Sequence, residues 1–321
     1  MCKAKPVKQI LSFVAACFLL GSVQAQVEVL PPDFVLFGKS SGDYCAEYIQ
    51  FTSTHSTNED YLFPDASPLS DERVYFLHRP TYYLPTLGIQ TYFVPDDAYI
   101  YLPIIVINWD NVEVVPPLTP EQLRDTLRAE VDGISAVRLN IDGVQLANPL
   151  AYRTESPFFS FVFQAPDNLY SFLLGRSFVG LDDPVIAGGY LVMLKPLPPG
   201  LHDVHTAYTF AEPDGFTRER HYQIYSLTPR QFLAHETVKL AGKITDSSLA
   251  LNRKQPLLAS LNAAQTSFSS GNPAAGVEQV TAFEHKLRAQ VAPADQALAD
   301  EWSAAAQTII DRATARSATV P

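Results

Sequence analysis

The chain changes chemistry once, at Thr228-Pro229, and that break constrains the fold more than any motif does. Residues 26–228 hold 26 acidic and 11 basic side chains, a net charge of −15, with 30 of the chain's aromatic residues and 19 of its 25 prolines. Residues 229–321 hold 8 acidic and 9 basic side chains, four aromatics and 20 alanines. Rings and β-branched side chains suit a pleated sheet, whereas alanine is the residue least costly to place in a helix. The break therefore predicts two domains, sheet-built over 26–228 and helical over 229–316, and a length of 321 residues agrees with two.

In the front portion, alternation and apolar runs predict strands at Val74–His78, Ile89–Val94, Tyr99–Ile107, Ala136–Ile141, Phe158–Phe163, Tyr190–Leu194, His202–Phe210 and His221–Leu227. Asp142-Gly143 reads as a tight hairpin, and Pro198-Pro199-Gly200 as a turn. Many short strands with turn signals between them imply an antiparallel β-sandwich or jelly-roll-like domain. One helix is expected among them. Thr119-Pro120-Glu121-Gln122 supplies a cap, a first-turn proline and a capping-box Gln; Leu123, Leu127 and Val131 share a face, and Gly133 ends it.

Behind the break, periodicity predicts four helices: Arg230–Ala241 ending at Gly242, Arg253–Phe268, one capped by Asn272 and opened by Pro273, and one starting near Pro293. Each apolar stripe is too narrow to stand alone, so the four are expected to pack as a small all-α bundle.

The first 25 residues read as an export signal. Lys3, Lys5 and Lys8 precede a short apolar run from Ile10 to Leu20, and Val23-Gln24-Ala25 offers the small residues a signal peptidase takes. That run falls short of the ~20 residues a membrane-spanning helix needs, so no integral membrane segment is expected after cleavage. The implied location is secreted or periplasmic. Cleavage removes Cys2 and Cys17 and leaves Cys45 alone, which excludes an intramolecular disulfide. A whole-chain net charge of −11 argues against nucleic acid and anionic membrane as partners, because both require a basic surface.

The helical portion resembles the FIMAH module of secreted bacterial proteins. Leu240-Ala241-Gly242-Lys243-Ile244-Thr245-Asp246, Leu258-Ala259-Ser260-Leu261-Asn262-Ala263-Ala264, Gly271-Asn272, Ala282-Phe283 and Ala305-Ala306-Gln307-Thr308-Ile309-Ile310-Asp311 carry the resemblance, in order. It implies a helical appendage on an exported protein and no particular activity. The front portion resembles a family of uncharacterised exported bacterial proteins through Val74–Leu77, Val94-Pro95, Leu102–Ile105 and Leu197-Pro198-Pro199-Gly200-Leu201-His202. In many of those relatives a second Cys pairs with the counterpart of Cys45; here that region reads Tyr92-Phe93.

Candidate chemistry is sparse. His202 and His205 lie three apart, with His221 downstream; on a strand, odd spacing sends the first two to opposite faces. That argues against a shared zinc site and assigns His202 to the turn. His235-Glu236 lacks a second His at 239, where Lys stands, so the zinc-protease motif fails and a surface pair is expected. Asp96-Asp97, Asp182-Asp183, Asp110, Glu113 and Asp132 are candidate paired carboxylates; the pairs beside proline read as turns, with calcium as a candidate ligand. Cys45 reads as a small buried thiol. Tyr82, Tyr83 and Trp109 are the candidate ligand-binding platform, since sugar rings stack on flat aromatic faces. With no catalytic signature, the expected function is a non-catalytic binding or surface-interaction protein with a glycan or protein ligand. The alternative is a carboxylate-dependent hydrolase acting on extracellular glycans, which needs two acidic groups converging in a cleft.

Overall fold

A computed structural model describes residues 27–54, 66–68, 73–77, 89–163, 168, 170–171, 175–211 and 215–317. The chain is mixed α/β: the described residues form three sheets and six α-helices. The export-signal reading of residues 1–25 lies outside the described residues.

After a two-stranded ribbon (β1, Val35–Leu36; β2, Lys39–Ser40), helix α1 runs over Ser41–Thr54. The sequence reading had no helix here. Its start is nonetheless written locally: Ser40 N and Oγ donate to the Asp43 carboxylate, at 2.8 and 2.7 Å, and Asp43 N donates back to Ser40 Oγ. That reciprocal pair is a capping box with Asp in the acidic position. Tyr44, Cys45, Tyr48 and Ile49 then fall on one buried face.

The larger sheet has the order β10-β11-β6-β4-β3, with β9 also paired to β11. Its members are β3 (Ala66–Pro68), β4 (Val74–Leu77), β6 (Tyr99–Trp109), β9 (Arg153–Glu155), β10 (Phe159–Phe163) and β11 (Gly180–Leu194). The second sheet has the order β5-β13-β12-β7-β8, built from β5 (Gln90–Pro95), β7 (Ile134–Ile141), β8 (Val144–Gln145), β12 (Gly200–Phe210) and β13 (Thr217–Leu227). Both sheets are mixed rather than purely antiparallel, because β4 runs parallel to β6 and β5 parallel to β13.

One apolar cluster joins the two sheets, with Ile100, Leu102, Ile104, Val192 and Leu194 from one and Val137, Leu139, Val204, Tyr208 and Ile224 from the other. Helix α2 (Pro120–Asp132) adds Leu123, Leu127 and Val131 to it, with its Thr119–Gln122 capping box formed as its sequence signals. A second cluster lies on the far face of the larger sheet, where α1 covers Phe76, Tyr101, Phe161, Leu191 and Met193. The larger sheet is therefore buried on both faces. Among the described residues, the five-stranded sheet is buried on one face along most of its length.

Strand β11 is far longer than the Tyr190–Leu194 read from sequence. Asp182-Asp183-Pro184, expected in a turn, sits inside this strand instead, opposite Phe161 at an irregular register with β10. Gly188-Gly189, which interrupts the apolar pattern, is required by close approach: a Cβ on Gly189 would sit 2.2 Å from the Ile105 carbonyl oxygen. A β-bulge also falls between Tyr190 and Leu191, the latter opposite Pro103, which has no N–H to give the ladder.

Helices α3 (Pro229–Asp246), α4 (Leu251–Ser269), α5 (Pro273–Gln290) and α6 (Gln296–Ser317) follow β13 directly. They enclose their own cluster, including Leu240, Leu261, Phe268, Val280, Phe283, Leu287 and Trp302. Helix α3 passes through Gly242, the expected stop, because Ile244 one half-turn later is fully buried. Helix α6 starts at Gln296 rather than near Pro293, where Asp295 Oδ1 accepts from Leu298 N at 3.0 Å. Contact with the sheets includes Phe232, which enters their shared cluster, Arg312, which lies 4.6 Å over Phe232 and donates to the Tyr75 hydroxyl, and His235, which stacks on Phe93.

Candidate functional site

The face of the five-stranded sheet that stays open among the described residues, beyond the end where α3 meets it, is the candidate site, and the β7–β8 hairpin forms part of it. Asp142 and Gly143 turn the chain with φ of 53° and 83°, the positive pair that a two-residue hairpin requires. The Asp142 carboxylate then organises the neighbouring strand. Its Oδ1 accepts the Asp203 N–H at 2.8 Å, and its Oδ2 lies 2.7 Å from His202 Nδ1. The other ring nitrogen of His202 meets the Pro198 carbonyl at 2.7 Å, so this buried histidine bonds the Pro-Pro-Gly turn as its position in the sequence suggests.

Strand alternation sends Asp203 and His205 to the opposite, solvent-facing side. The β12–β13 register sets His205 directly across from His221, and their rings stack with centroids 4.0 Å apart. Both imidazoles converge on one carboxylate: His205 Nε2 lies 2.7 Å from Asp203 Oδ2, and His221 Nε2 bonds Asp203 Oδ1. The hydrogen bond from His221 is the main influence holding the Asp203 carboxyl below its ordinary range, with His205 adding to it against the cost of partial burial. The two histidines judged unable to share a site, His202 and His205, are indeed on opposite faces. The cross-strand partner of His205 is invisible in linear spacing, because sixteen residues and a strand reversal separate it from His221.

Around this trio the face opens into a groove of about 870 Å³. Arg138, Asn140, Gln145, Glu219, Ile89 and Phe216 are among its described lining residues. Arg138 and Glu219 pair across the strands at 3.2 Å. At one end of the sheet Phe93 stacks on Tyr225 and on His235 of α3, with centroids 5.2 and 4.2 Å apart. His235, expected in a surface pair, is thus half-buried against the sheet; Glu236 bonds Lys239 at 3.3 Å.

Of the candidate aromatic platform only Trp109 is described, and it is not among the described residues lining this groove. Tyr82 and Tyr83 lie outside the described residues. Trp109 packs against the shared core and donates its indole N–H to Glu130 of α2 at 2.7 Å, which places it where β6 meets that helix.

Two of the candidate carboxylates come together elsewhere, at the end of β6. Asp110 accepts from Asn108 Nδ2 at 3.2 Å and from the Tyr170 hydroxyl, while its Oδ1 takes the Val112 N–H. Asp182 lies close enough to feel Asp110 and is almost wholly buried, and its Oδ2 has no hydrogen-bond partner among the described residues. Burial, then the charges of Asp110 and Asp183, push its carboxyl up to about 7. Tyr170 is raised as well, by burial first and Asp110 second. Among the described residues Glu113 joins no such pair; it faces Arg176, and Asp132 faces Arg153. Asp96-Asp97 occupies the tight turn between β5 and β6, as read. Cys45 is a free thiol buried in α1 and pushed up to about 12 by burial alone, which removes it from nucleophilic chemistry.

No known family model matches the chain, and no curated protein is similar to it. Among solved structures, the cysteine protease inhibitor EhICP2 from Entamoeba histolytica aligns with 43% of this chain and 86% of its own, at 13% identity and a TM-score of 0.17, too low to carry an argument. No described helix is long and apolar enough to cross a membrane.

Proposed function

We propose that the protein is an exported, non-catalytic binding protein that takes an extracellular glycan on the open face of its five-stranded sheet. The observation that carries the reading is the groove itself: one face of a sheet left uncovered and shaped, while the neighbouring sheet is covered on both faces. Arg138 faces Glu219 and the imidazoles face Asp203, while Arg218 and Arg220 also line the groove, inside a portion of the chain that is otherwise strongly acidic. The amides of Asn140 and Gln145 and the guanidinium of Arg138 offer hydrogen bonds to a hydroxyl-rich ligand. Ile89 and Phe216, 51% and 39% exposed, offer apolar area to the C–H face of a sugar ring.

The export reading rests on residues 1–25, and the architecture reading on the break at Thr228-Pro229. In it, residues 26–228 form a β-sandwich domain and residues 229–316 a FIMAH-type helical bundle acting as a second interaction module. Calcium held by the acidic loops stays a proposal of the same kind, tested by a melting temperature that rises with calcium and falls back with chelator.

A glycan-array screen of the full chain tests the function. Binding to neutral glycans that Asn140→Ala or Arg138→Ala weakens supports it; absence of binding to any glycan, or binding of a protein ligand instead, defeats it. One observation favours a second reading, a carboxylate-dependent hydrolase: Asp110 and Asp182 are neighbouring carboxyls in unlike environments, as an acid–base pair must be. Glycan hydrolysis abolished by Asp182→Asn would select that reading.

A further inference from the structure

We propose that Asp203, His205 and His221 form a binding site for a zinc-type divalent ion on the open face of the sheet. Each residue offers one ligand atom, and the three atoms lie within 4.8 Å of one another. Two atoms bound to one zinc ion at ~2.1 Å can be at most ~4.2 Å apart, so small side-chain rotations gather the set.

The backbone prepares this convergence. Positions 203 and 205 are two apart on one strand and so share a face. Position 221 is the direct cross-strand neighbour of 205, and the ladder on both sides of β12 holds these Cα atoms in register. Asp142 pins the strand at the ligand itself, taking the Asp203 N–H and His202 together. Such anchoring from behind is what a metal centre needs to hold its donors in place.

The donor set argues for the ion. Two imidazole nitrogens and one carboxylate oxygen suit zinc or cobalt, whereas calcium takes six to eight oxygens. In the arrangement described, each Nε2–H donates to the Asp203 carboxylate, which occupies the place between the rings. Metal binding replaces those two hydrogen bonds with two nitrogen–metal bonds, and each ring carries its proton on Nδ1 instead. All three residues are partly exposed, and both histidines line the groove, so three protein donors leave a coordination position open to water or to a ligand oxygen there. The proposal shares its location with the glycan reading but is tested without any glycan, so the two fail separately.

The experiment is calorimetric titration of zinc into the chelator-treated full chain. The expected result is one saturable equivalent, retained in His285→Ala on the remote helix α5. Affinity should fall in His205→Ala and in His221→Ala by more than the roughly 10–100-fold that loss of an outer partner costs. A cobalt titration of the unmodified chain guards against a variant that fails to fold: it should give the visible bands of a four- or five-coordinate ion, and zinc should displace them. No saturable binding, undiminished binding when His205→Ala and His221→Ala are combined, or a preference for calcium would overturn the proposal.

Discussion

The two large sheets differ in how many of their faces are covered, and that difference places the candidate site. In the six-stranded sheet, β11 is buried without a break from Val185 to Leu194, because α1 closes one side and the second sheet the other. In the five-stranded sheet, Tyr222, Ile224 and Ser226 are buried while their neighbours His221, Gln223 and Tyr225 are only partly so. A strand covered twice leaves no side chain free for a ligand. A strand covered once donates every second residue, and Asp203, His205 and His221 are among those donated.

The sharpest way to break this contrast is at Gly189. A methyl group there meets backbone, the Ile105 carbonyl at 2.2 Å, with φ at +150°, so neither side can yield. Gly189→Ala is expected to cost at least about 4 kcal/mol in a denaturant titration. A glycine substitution of comparable cost is not expected at Gly200, where nothing lies within 4 Å of an added Cβ, although its φ of +144° still strains an alanine.

Next in size is Asp182, the buried carboxyl of the covered sheet. Its ordinary value is 3.8 and its folded value about 7. Between those values the unfolded chain has released this proton while the folded chain keeps it. Stability therefore falls as pH rises through that window and the loss is complete above it. Asp182→Asn should remove the loss, gaining roughly 2–4 kcal/mol over the parent at pH 8 and nothing below pH 4. Melting curves of both proteins across that range check it; an equal gain at acid pH would refute the assignment.

The two faces of β12 supply a smaller and more direct comparison. His202 points inward to Asp142 and the Pro198 carbonyl, so His202→Ala leaves two part-buried partners without it and should cost about 1–2 kcal/mol. His205, three residues on, points outward; without metal, His205→Ala is expected to change stability by no more than about 0.5 kcal/mol. Glu219→Ala, on the same outer face, should be equally mild, since an exposed pair with Arg138 contributes less than about 1 kcal/mol. Parallel unfolding curves of the three variants are the measurement, and a large loss at His205 would mean that the outer face is structural.

Much of this was legible in sequence. The helix after Thr119 could be read to the residue because its cap, proline, capping-box Gln and apolar stripe are all local. Helix α1 was equally writable from Ser40 and Asp43, but its Tyr-Ile-Gln-Phe-Thr content speaks for strand, and packing against Phe76 and Tyr101 overrode that preference. Strand β11 reads short in the sequence because Gly188-Gly189 and Asp183-Pro184 look like punctuation. The first pair is there to admit the Thr154 and Ile105 carbonyls, a constraint set by strands far away in the chain. For the site, spacing correctly separates His202 from His205 but cannot pair His205 with His221, and Trp109 is drawn to α2 by the hydrogen bond it donates to Glu130.

By itself, then, the amino-acid order determined what short-range chemistry determines: where the helices cap, where Asp142-Gly143 turns, and where ring-rich sequence gives way to alanine. Tertiary structure alone decided which sheet would be covered twice, which carboxyl would be buried beside another, and which two histidines would stack. Those outcomes depend on contacts between residues distant along the chain, whose register is set by ladder hydrogen bonds and shared apolar burial rather than by any neighbour in sequence.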